Sequence, residues 1–165
     1  MNDTCKDTAL VQLSDAAGFK PKSRKRLEDD QLPVQLIDET SSVEDLLEIL
    51  ERGFFEARVD EDGDIRVRDN INLYIHPANQ GVILTAIFDF REGVDDEARI
   101  AVARAANEGD WMVRFRVTGD AEYLRAEHYI VLKGGITARN FAFTLRRFIS
   151  TVFHMMRGEH REVIA

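Results

Sequence analysis

Apolar residues recur with a helical period in three segments of the chain. In the first segment, residues spaced at i, i+3, i+4 and i+7 form one apolar stripe: Val43, Leu46, Leu47 and Leu50. Ser41 and Glu44 have the spacing of a capping box, in which each side chain satisfies a backbone N–H of the other residue. Gly53 follows the stripe, so we expect the helix to end there with glycine in the left-handed conformation.

The two later helical segments differ in the width of their apolar faces. The second, GVDDEARIAVARAANEG, begins with acidic residues and has a narrow face of small residues suited to close packing on a sheet: Ala98, Ala101, Val102 and Ala105. The third, TARNFAFTLRRFISTVFHMMRG, is predicted to be capped by Thr137. Its apolar stripe is much broader: Phe141, Leu145, Phe148, Ile149, Val152, Phe153, Met155 and Met156.

Between these helices the apolar residues recur with a period of two, which predicts strands. Apolar and polar residues alternate in five stretches: FFEARV, DIRVR, INLYIHP, WMVRFRV and EYLRAEHYIVL. A sixth stretch, GVILTAIFDF, is apolar on both sides, which is typical of a central strand that is covered twice.

The order of the predicted elements is α-β-β-β-β-α-β-β-α. Short hairpin-like links favour a mainly antiparallel sheet of about five to six strands with three helices, in the α+β class. We expect one domain at residues 41–158, with a flexible N-terminal tail at residues 1–40 and a C-terminal tail at residues 159–165.

The acidic stretch DEDGDI lies between two predicted strands and is a candidate calcium loop. An EF-hand loop needs ligands at positions 1, 3 and 5, glycine at position 6 and a bidentate glutamate at position 12. Counted from Asp60, Gly63 falls at position 4 and Ile71 at position 12. We therefore predict a hairpin turn, in which Gly63 supplies a positive φ.

The charge of the chain limits its partners. Its 165 residues carry a formal net charge of −8, with a pI near 5.0. We expect no nucleic acid and no membrane as partner, because nucleic acids and anionic membrane surfaces are negatively charged. The basic run KPKSRKR at residues 20–26 is interpreted as a solvated charge run, with a basic arm for nucleic acid or lipid as the alternative.

Other signals favour a cytoplasmic location. Cys5 is the single cysteine, so no disulfide can form within the chain. No stretch approaches the roughly 20 apolar residues of a spanning helix. The start of the chain lacks the pattern of a secretory signal.

Four stretches within residues 42–156 resemble the YbjN-like family: SVEDLLEILERGFFEARVDEDGDIRV, GVILTAIFDF, AVARAANEGDWMVRFRV and LKGGITARNFAFTLRRFISTVFHMM. That family carries the label "putative bacterial sensory transduction regulator". The resemblance implies a fold similar to that of type III secretion chaperones, which are small acidic α+β dimers that hold an extended client segment. It implies no cofactor and no catalytic residues, and fold alone does not fix function.

No pattern in the sequence points to a reaction. The four histidines lack a metal-ligand spacing: His76, His128, His154 and His160. His128 is interpreted as a hydrogen-bonded structural residue or an exposed one, and LKGGIT as a strand-to-helix corner, with an anion site as the alternative. Nucleotide-binding and nucleophile-elbow motifs are absent. We predict no catalytic, cofactor-binding or metal-binding residues, although a carboxylate pair assembled in space stays open.

The arginines of the strands suggest a docking surface instead. If the strands share a sheet, alternation brings Arg66, Arg68, Arg114, Arg116 and Arg125 to one face, where they either pair with Glu56, Glu122 and Glu127 or bind an acidic or extended peptide. The second apolar side of the fourth strand needs cover from the middle helix, a second subunit or a client. The candidate partner-binding residues are Arg66, Arg68, Ile83, Ile87, Arg114 and Arg116.

The predicted function is therefore non-enzymatic protein binding, as a regulator, adaptor or chaperone-like module that acts as a homodimer. Two alternatives stay open: an enzyme of unknown type with a spatially assembled site, and a purely structural homo-oligomer.

Overall fold

Eight strands and three α-helices make up the part of the chain that the computed structural model describes, residues 36–109, 112–119 and 121–165 without the Glu159 side chain. The elements are, in chain order, β1 (Leu36–Ile37), α1 (Val43–Arg52), β2 (Glu56–Val59), β3 (Ile65–Arg68), β4 (Asn72–Ala78), β5 (Gly81–Asp89), α2 (Asp96–Gly109), β6 (Arg114–Val117), β7 (Tyr123–Val131), β8 (Ile136–Thr137), α3 (Ala138–Arg157) and a short 3₁₀ helix (Glu159–Glu162).

Six of the strands form one antiparallel sheet in the order β2-β3-β4-β5-β7-β6. Strands β2 to β5 follow one another as hairpins. β7 lies between β5 and β6, because the chain returns from the edge strand β6 into the sheet. β1 and β8 form a separate two-stranded sheet, with Leu36 opposite Thr137. The predicted α+β class, the antiparallel sheet and the three helices are confirmed, and the pair β1–β8 is an addition to the predicted order.

The core lies between the helices and one face of the large sheet. Strand residues that point to this face are almost fully buried: Ile65, Val67, Leu73, Ile75, Val82, Leu84, Ala86, Phe115, Leu124 and Ala126. They form a single apolar cluster with residues from all three helices. The broad stripe of α3 contributes most, and its Phe141, Leu145, Phe148 and Val152 are each 0% exposed.

The turn before α1 is held by Asp38. Its Oδ1 accepts hydrogen bonds from the Thr40 hydroxyl at 2.7 Å and from Thr40 N at 2.9 Å. These two bonds, the hydroxyl bond first, hold the pKa of Asp38 below its usual value. Asp38 N donates in turn to Ser41 Oγ at 3.1 Å, so Ser41 belongs to the turn.

The capping box of α1 therefore lies one residue later than predicted. Ser42 Oγ accepts from Asp45 N at 3.2 Å, and Asp45 Oδ2 accepts from Ser42 N at 2.8 Å. The prediction of Ser41 and Glu44 was wrong, because Ser41 is already used in the preceding turn.

α1 ends at Gly53 as predicted, but Phe54, and not Gly53, takes the left-handed conformation. Phe54 has a φ of 61°, whereas Gly53 has a φ of −74°. A Cβ at Gly53 would lie 3.1 Å from the Phe55 ring. Arg146 places its guanidinium 4.7 Å from the centre of that ring and donates from Nη2 to Gly53 O at 2.7 Å. The glycine thus serves the close approach of Phe55, and the predicted left-handed glycine was wrong.

The buried face of α2 is rotated from the predicted one. Its buried residues are Val102, Ala103 and Ala106, whereas Ala101 and Ala105 are exposed. The rotation is set at the sheet edge, where the Asn107 side chain bonds both the N–H and the C=O of Phe115 in β6.

Segments expected to be tails belong partly to the folded domain. Ile37 is 1% exposed, and Ile164, in the predicted C-terminal tail, is 6% exposed and bridges to Phe90. Residues 1–35, which hold most of the predicted N-terminal tail, Cys5 and the basic run, lie outside the described residues. Among the described helices, none has the length and apolar character needed to cross a membrane.

Candidate functional site

The second face of the six-stranded sheet is not covered by a described helix, since all three bury their apolar residues in the core on the opposite side. We call this surface the open face. It consists of the strand side chains that alternate with the core residues: Glu56, Arg58, Arg66, Arg68, Asn72, Tyr74, His76, Ile83, Thr85, Ile87, Arg114, Arg116, Arg125, Glu127 and Tyr129.

The structure places all six predicted partner-binding residues on the open face. One row crosses the whole sheet: Arg58, Arg66, Tyr74, Thr85, Glu127 and Arg114. In the next row, Ile87 lies opposite Arg125, which lies opposite Arg116. Arg68 pairs in register with Glu56 on one side and Asn72 on the other. Ile83 lies between His76 and Tyr129.

The open face is positively charged, although the whole chain carries −8. It holds six arginines and two glutamates. Two aspartates stand at its margins, Asp64 beside β3 and Asp89 at the end of β5, and even with them the arginines are in excess. An anionic partner would therefore be attracted to this face and repelled by the chain as a whole.

The ion pairs within the face leave positive charge unbalanced. Glu127 serves two arginines: its Oε2 lies 2.9 Å from Arg116 Nε, and its Oε1 lies 2.9 Å from Arg125 Nε. Arg114 lies opposite the same glutamate in register. Because one carboxylate balances only one guanidinium, the arginines at the β6 end of the face keep a surplus of charge. The predicted pairing of strand arginines with glutamate is seen at Glu127.

Apolar and aromatic groups stand among the arginines. Ile87 is 47% exposed and Tyr129 is 45% exposed. The Tyr74 ring lies 5.7 Å from the Arg66 guanidinium and is stacked on the His76 ring at 6.0 Å. The middle helix, which was one predicted cover for this side of β5, packs on β6 and leaves Ile87 exposed. The face therefore offers charged and apolar contacts side by side.

The one histidine–carboxylate pair of the face is built into the hairpin. His76 Nδ1 lies 2.6 Å from Asp64 Oδ2. The preceding turn is held by Asp60 Oδ1, which accepts from the backbone N–H groups of Asp62 and Asp64 at 3.1 Å each, and Gly63 has a φ of 87°. The predicted hairpin turn is confirmed, and the Asp60 and Asp64 carboxylates are occupied within it. Within the described ranges, no three His, Cys, Asp or Glu side chains are grouped as a metal site would need.

Two further expectations concern single residues. His128 Nδ1 lies 2.7 Å from Met112 O, so His128 is a hydrogen-bonded structural residue. Thr137 caps α3 as predicted, since its Oγ1 accepts from Asn140 N at 3.1 Å. The Gly-Gly pair before it has φ values of 86° and 84°, as a strand-to-helix corner requires.

Sequence reasoning left several members of the open face unassigned, among them Arg58, Tyr74 and Tyr129. The period-two alternation of FFEARV places Arg58 on the same side as Glu56, so Arg58 was within reach of that argument. The neighbours of Tyr74 and Tyr129 depend on strand order, and alternation within one strand carries no information about that order.

Comparison with known proteins identifies the fold and a family. The family "YbjN: Putative bacterial sensory transduction regulator" matches residues 42–153. The crystal structure of YbjN from E. coli, described as a putative transcription regulator, is similar with a TM-score of 0.64 and 13% sequence identity. The match covers 81% of this chain and 98% of that chain. No curated protein matches the sequence.

Proposed function

The chain belongs to the YbjN family, and from this premise we propose that it is a non-enzymatic regulator or adaptor. In this proposal it acts as a homodimer and binds an extended, acidic segment of a partner protein on the open face of its sheet. One observation carries the proposal: a sheet face that none of the described helices covers, with six arginines on an acidic chain.

The arrangement of the arginines favours carboxylates as the groups recognised. A guanidinium presents two parallel N–H donors, which match the two oxygens of a carboxylate. Arginines two residues apart in one strand, such as Arg66 and Arg68 or Arg114 and Arg116, are spaced about 6.6 Å, which is also the spacing of alternate acidic side chains in an extended peptide. A neutral partner would form no such charged hydrogen bonds, and it would have to remove water from the guanidinium groups, which is unfavourable.

The exposed apolar side chains favour a peptide with apolar residues between its acids. Ile87 and Tyr129 are each about half exposed; Ile87 lies opposite Arg125, and Tyr129 lies opposite Ile83 on the same face. Burying such a side chain contributes roughly 1.5–3 kcal/mol when it is covered completely. A purely acidic polymer would leave these two residues in water, whereas an amphipathic segment would cover them.

A nucleic acid is the other anionic partner to consider. The net charge of −8 opposes it, since a duplex carries about one charge per 1.7 Å and would approach the acidic surfaces beside the face as well as the face itself. Glu127, in the middle of the arginines, would also oppose a row of phosphates. A short peptide meets only the face, so the peptide is the proposed partner.

The proposal can be tested with a fluorescein-labelled peptide whose every second residue is an acid (Glu or Asp) or an apolar residue (Leu or Ile) in turn, with serine between them, so that acidic and apolar side chains share one side of the extended chain. Binding is followed by fluorescence anisotropy, and we expect it to weaken as salt is raised because the contacts are ionic. The variant Arg66→Glu/Arg114→Glu/Arg116→Glu should lose at least tenfold in affinity. The control is Arg104→Glu/Arg147→Glu/Arg161→Glu, which makes the same change of net charge at exposed positions away from the face and should lose less than about threefold.

Three outcomes would contradict the proposal. The first is failure of the wild-type chain to bind the peptide at low salt. The second is an equal loss of affinity in the two triple variants, which would show that the effect depends only on net charge. Tighter binding of a fluorescein-labelled DNA duplex than of the peptide would replace the protein partner by nucleic acid. Circular dichroism spectra of both variants establish that they are folded.

A further inference from the structure

The two edges of the six-stranded sheet are protected to different degrees. An edge strand of an antiparallel sheet turns the N–H and C=O of every second residue away from its neighbour, and these groups can pair with another strand. β2 and β6 are the edge strands here.

The β6 edge is capped by a side chain. Thr118 N donates to Tyr123 O at 3.0 Å, which fixes the alternation of β6 with β7 and turns the backbone of Phe115 outward. Asn107 Oδ1 accepts from Phe115 N at 2.8 Å, and Asn107 Nδ2 donates to Phe115 O at 2.7 Å. The amide of Asn107 thus occupies the two outward backbone groups of Phe115, in the middle of the edge strand.

The β2 edge has no such cap among the described residues. Asp60 N donates to Asp64 O at 2.9 Å, which makes this the hydrogen-bonded pair that closes the hairpin. By alternation the backbone groups of Arg58 bond to β3, and those of Ala57 and Val59 point outward. Within the described residues no hydrogen bond reaches the outward groups of Ala57 or Val59, and the Val59 side chain is 43% exposed.

The sequence of β2 is complementary to itself in charge. Consider two copies of β2 that run antiparallel with Ala57 opposite the partner's Ala57. Glu56 then lies opposite the partner's Arg58, and Arg58 lies opposite the partner's Glu56. Opposite charges at directly opposed positions stabilise an antiparallel pair, and both side chains are exposed and available for this contact.

Other registers are less favourable. Centring the pair on Arg58 places two arginines directly opposite each other, which is repulsive. Centring it on Val59 places Arg58 opposite the partner's Asp60, but that carboxylate already accepts two backbone N–H groups in the hairpin turn. The register centred on Ala57 opposes Glu56 and Arg58, and its backbone bonds centre on Ala57, because Phe55 N, which would face the partner's Val59, already donates to Leu50 O at 2.9 Å.

We propose that two copies of the chain associate through their β2 edges, antiparallel and centred on Ala57, to form one continuous twelve-stranded sheet. This inference rests on the homodimer of the proposed function and assigns its interface. The two-fold axis is perpendicular to the sheet, so the two open faces lie on the same side. The dimer then presents a single arginine-bearing surface, with six arginines from each copy.

The interface can be tested by exchanging its charges in the full chain. The single variants Glu56→Arg and Arg58→Glu each place like charges opposite each other, and we expect both to be monomers. An equimolar mixture of the two restores both opposite-charge contacts, so we expect a heterodimer. The double variant Glu56→Arg/Arg58→Glu restores them within one sequence and should dimerise like the wild type.

The measurement is molar mass by light scattering over a range of protein concentrations, where the dimer has twice the 18.8 kDa mass of the chain. A monomeric wild type at every concentration would overturn both the interface and the homodimer. A wild-type dimer that both single variants retain would overturn the interface alone. Single variants that stay monomeric when mixed would overturn the Ala57 register. The peptide-binding assay is read separately, so the docking function does not depend on any of these results.

Discussion

Replacing Asn107 by alanine tests the cap on the β6 edge. Asn107 lies in the last turn of α2, and its side chain makes three hydrogen bonds: two to the backbone of Phe115 and one, at 2.8 Å, to Ala103 O. Asn107→Ala removes all three. The outward N–H and C=O of Phe115 are then left to water or to another strand.

The expected cost follows from these bonds. Each net hydrogen bond contributes about 0.5–1.5 kcal/mol, so the loss of the two bonds to Phe115 amounts to about 1–3 kcal/mol. The bond to Ala103 lies within the helix, and alanine returns about 0.5 kcal/mol because it is the better helix former. The free energy of unfolding should therefore fall by about 0.5–2.5 kcal/mol, which lowers the melting temperature by roughly 2–12 °C for a domain of this size.

Thermal unfolding followed by circular dichroism measures this change. The matched control is Glu108→Ala, the next residue of the same helix, which is exposed and should shift the free energy by less than about 0.5 kcal/mol. Light scattering should also show that Asn107→Ala associates at high concentration, because its β6 edge has become free to pair. If the melting temperatures of Asn107→Ala and Glu108→Ala agree within about 1 °C, on the order of the error of such a measurement, the Asn107 amide does not stabilise the β6 edge.

Three further substitutions test other parts of the structure. Leu46 is 4% exposed, so Leu46→Asp buries a charge in the core and should abolish cooperative thermal unfolding. A Cβ at Gly81 would lie 2.1 Å from Ile130 O in the neighbouring strand, so Gly81→Ala should lower the melting temperature, whereas Gly119→Ala, with nothing within 4 Å, should leave it unchanged. Asp62→Asn in the exposed hairpin should change the free energy of unfolding by less than about 0.5 kcal/mol. Calcium should not alter the melting temperature of the wild type or of the variant. A calcium-dependent shift in the wild type that the variant loses would contradict the assignment of this segment as a hairpin turn.

The composition of the open face could be predicted from the sequence because alternation is a local property. A strand exposes every second side chain to the same face, so Arg66 and Arg68 must share a side, as must Arg114 and Arg116. That these two pairs lie on the same face of one sheet depends on the register of the four strand pairings between β3 and β6. Apolar alternation supplied that register indirectly, because a slip of one residue would bury the arginines in the core.

The cap residues of α1 could not be predicted fully, although its end at Gly53 could. Ser41 and Ser42 are each followed by an acid three residues later, so two capping boxes fit the sequence equally. The choice is made by the Asp38 turn, which uses Ser41. At the other end the choice is made by Arg146, which lies 93 residues from Gly53 in the chain. Contacts between such distant positions leave no trace in the spacing of neighbouring residues.

The distribution of charge on the sheet assigns self-association to the β2 edge and partner binding to the open face. Two open faces cannot pack against each other, because arginines would meet arginines across the interface. The β2 edge carries one charge of each sign, so it repels an edge of uniform charge and accepts its own copy. Since the open face holds an excess of arginine, the rest of the chain is more acidic than the total of −8, and that acidity repels an acidic partner from every other surface. The same distribution that keeps the face free of other copies thus directs an acidic segment to it.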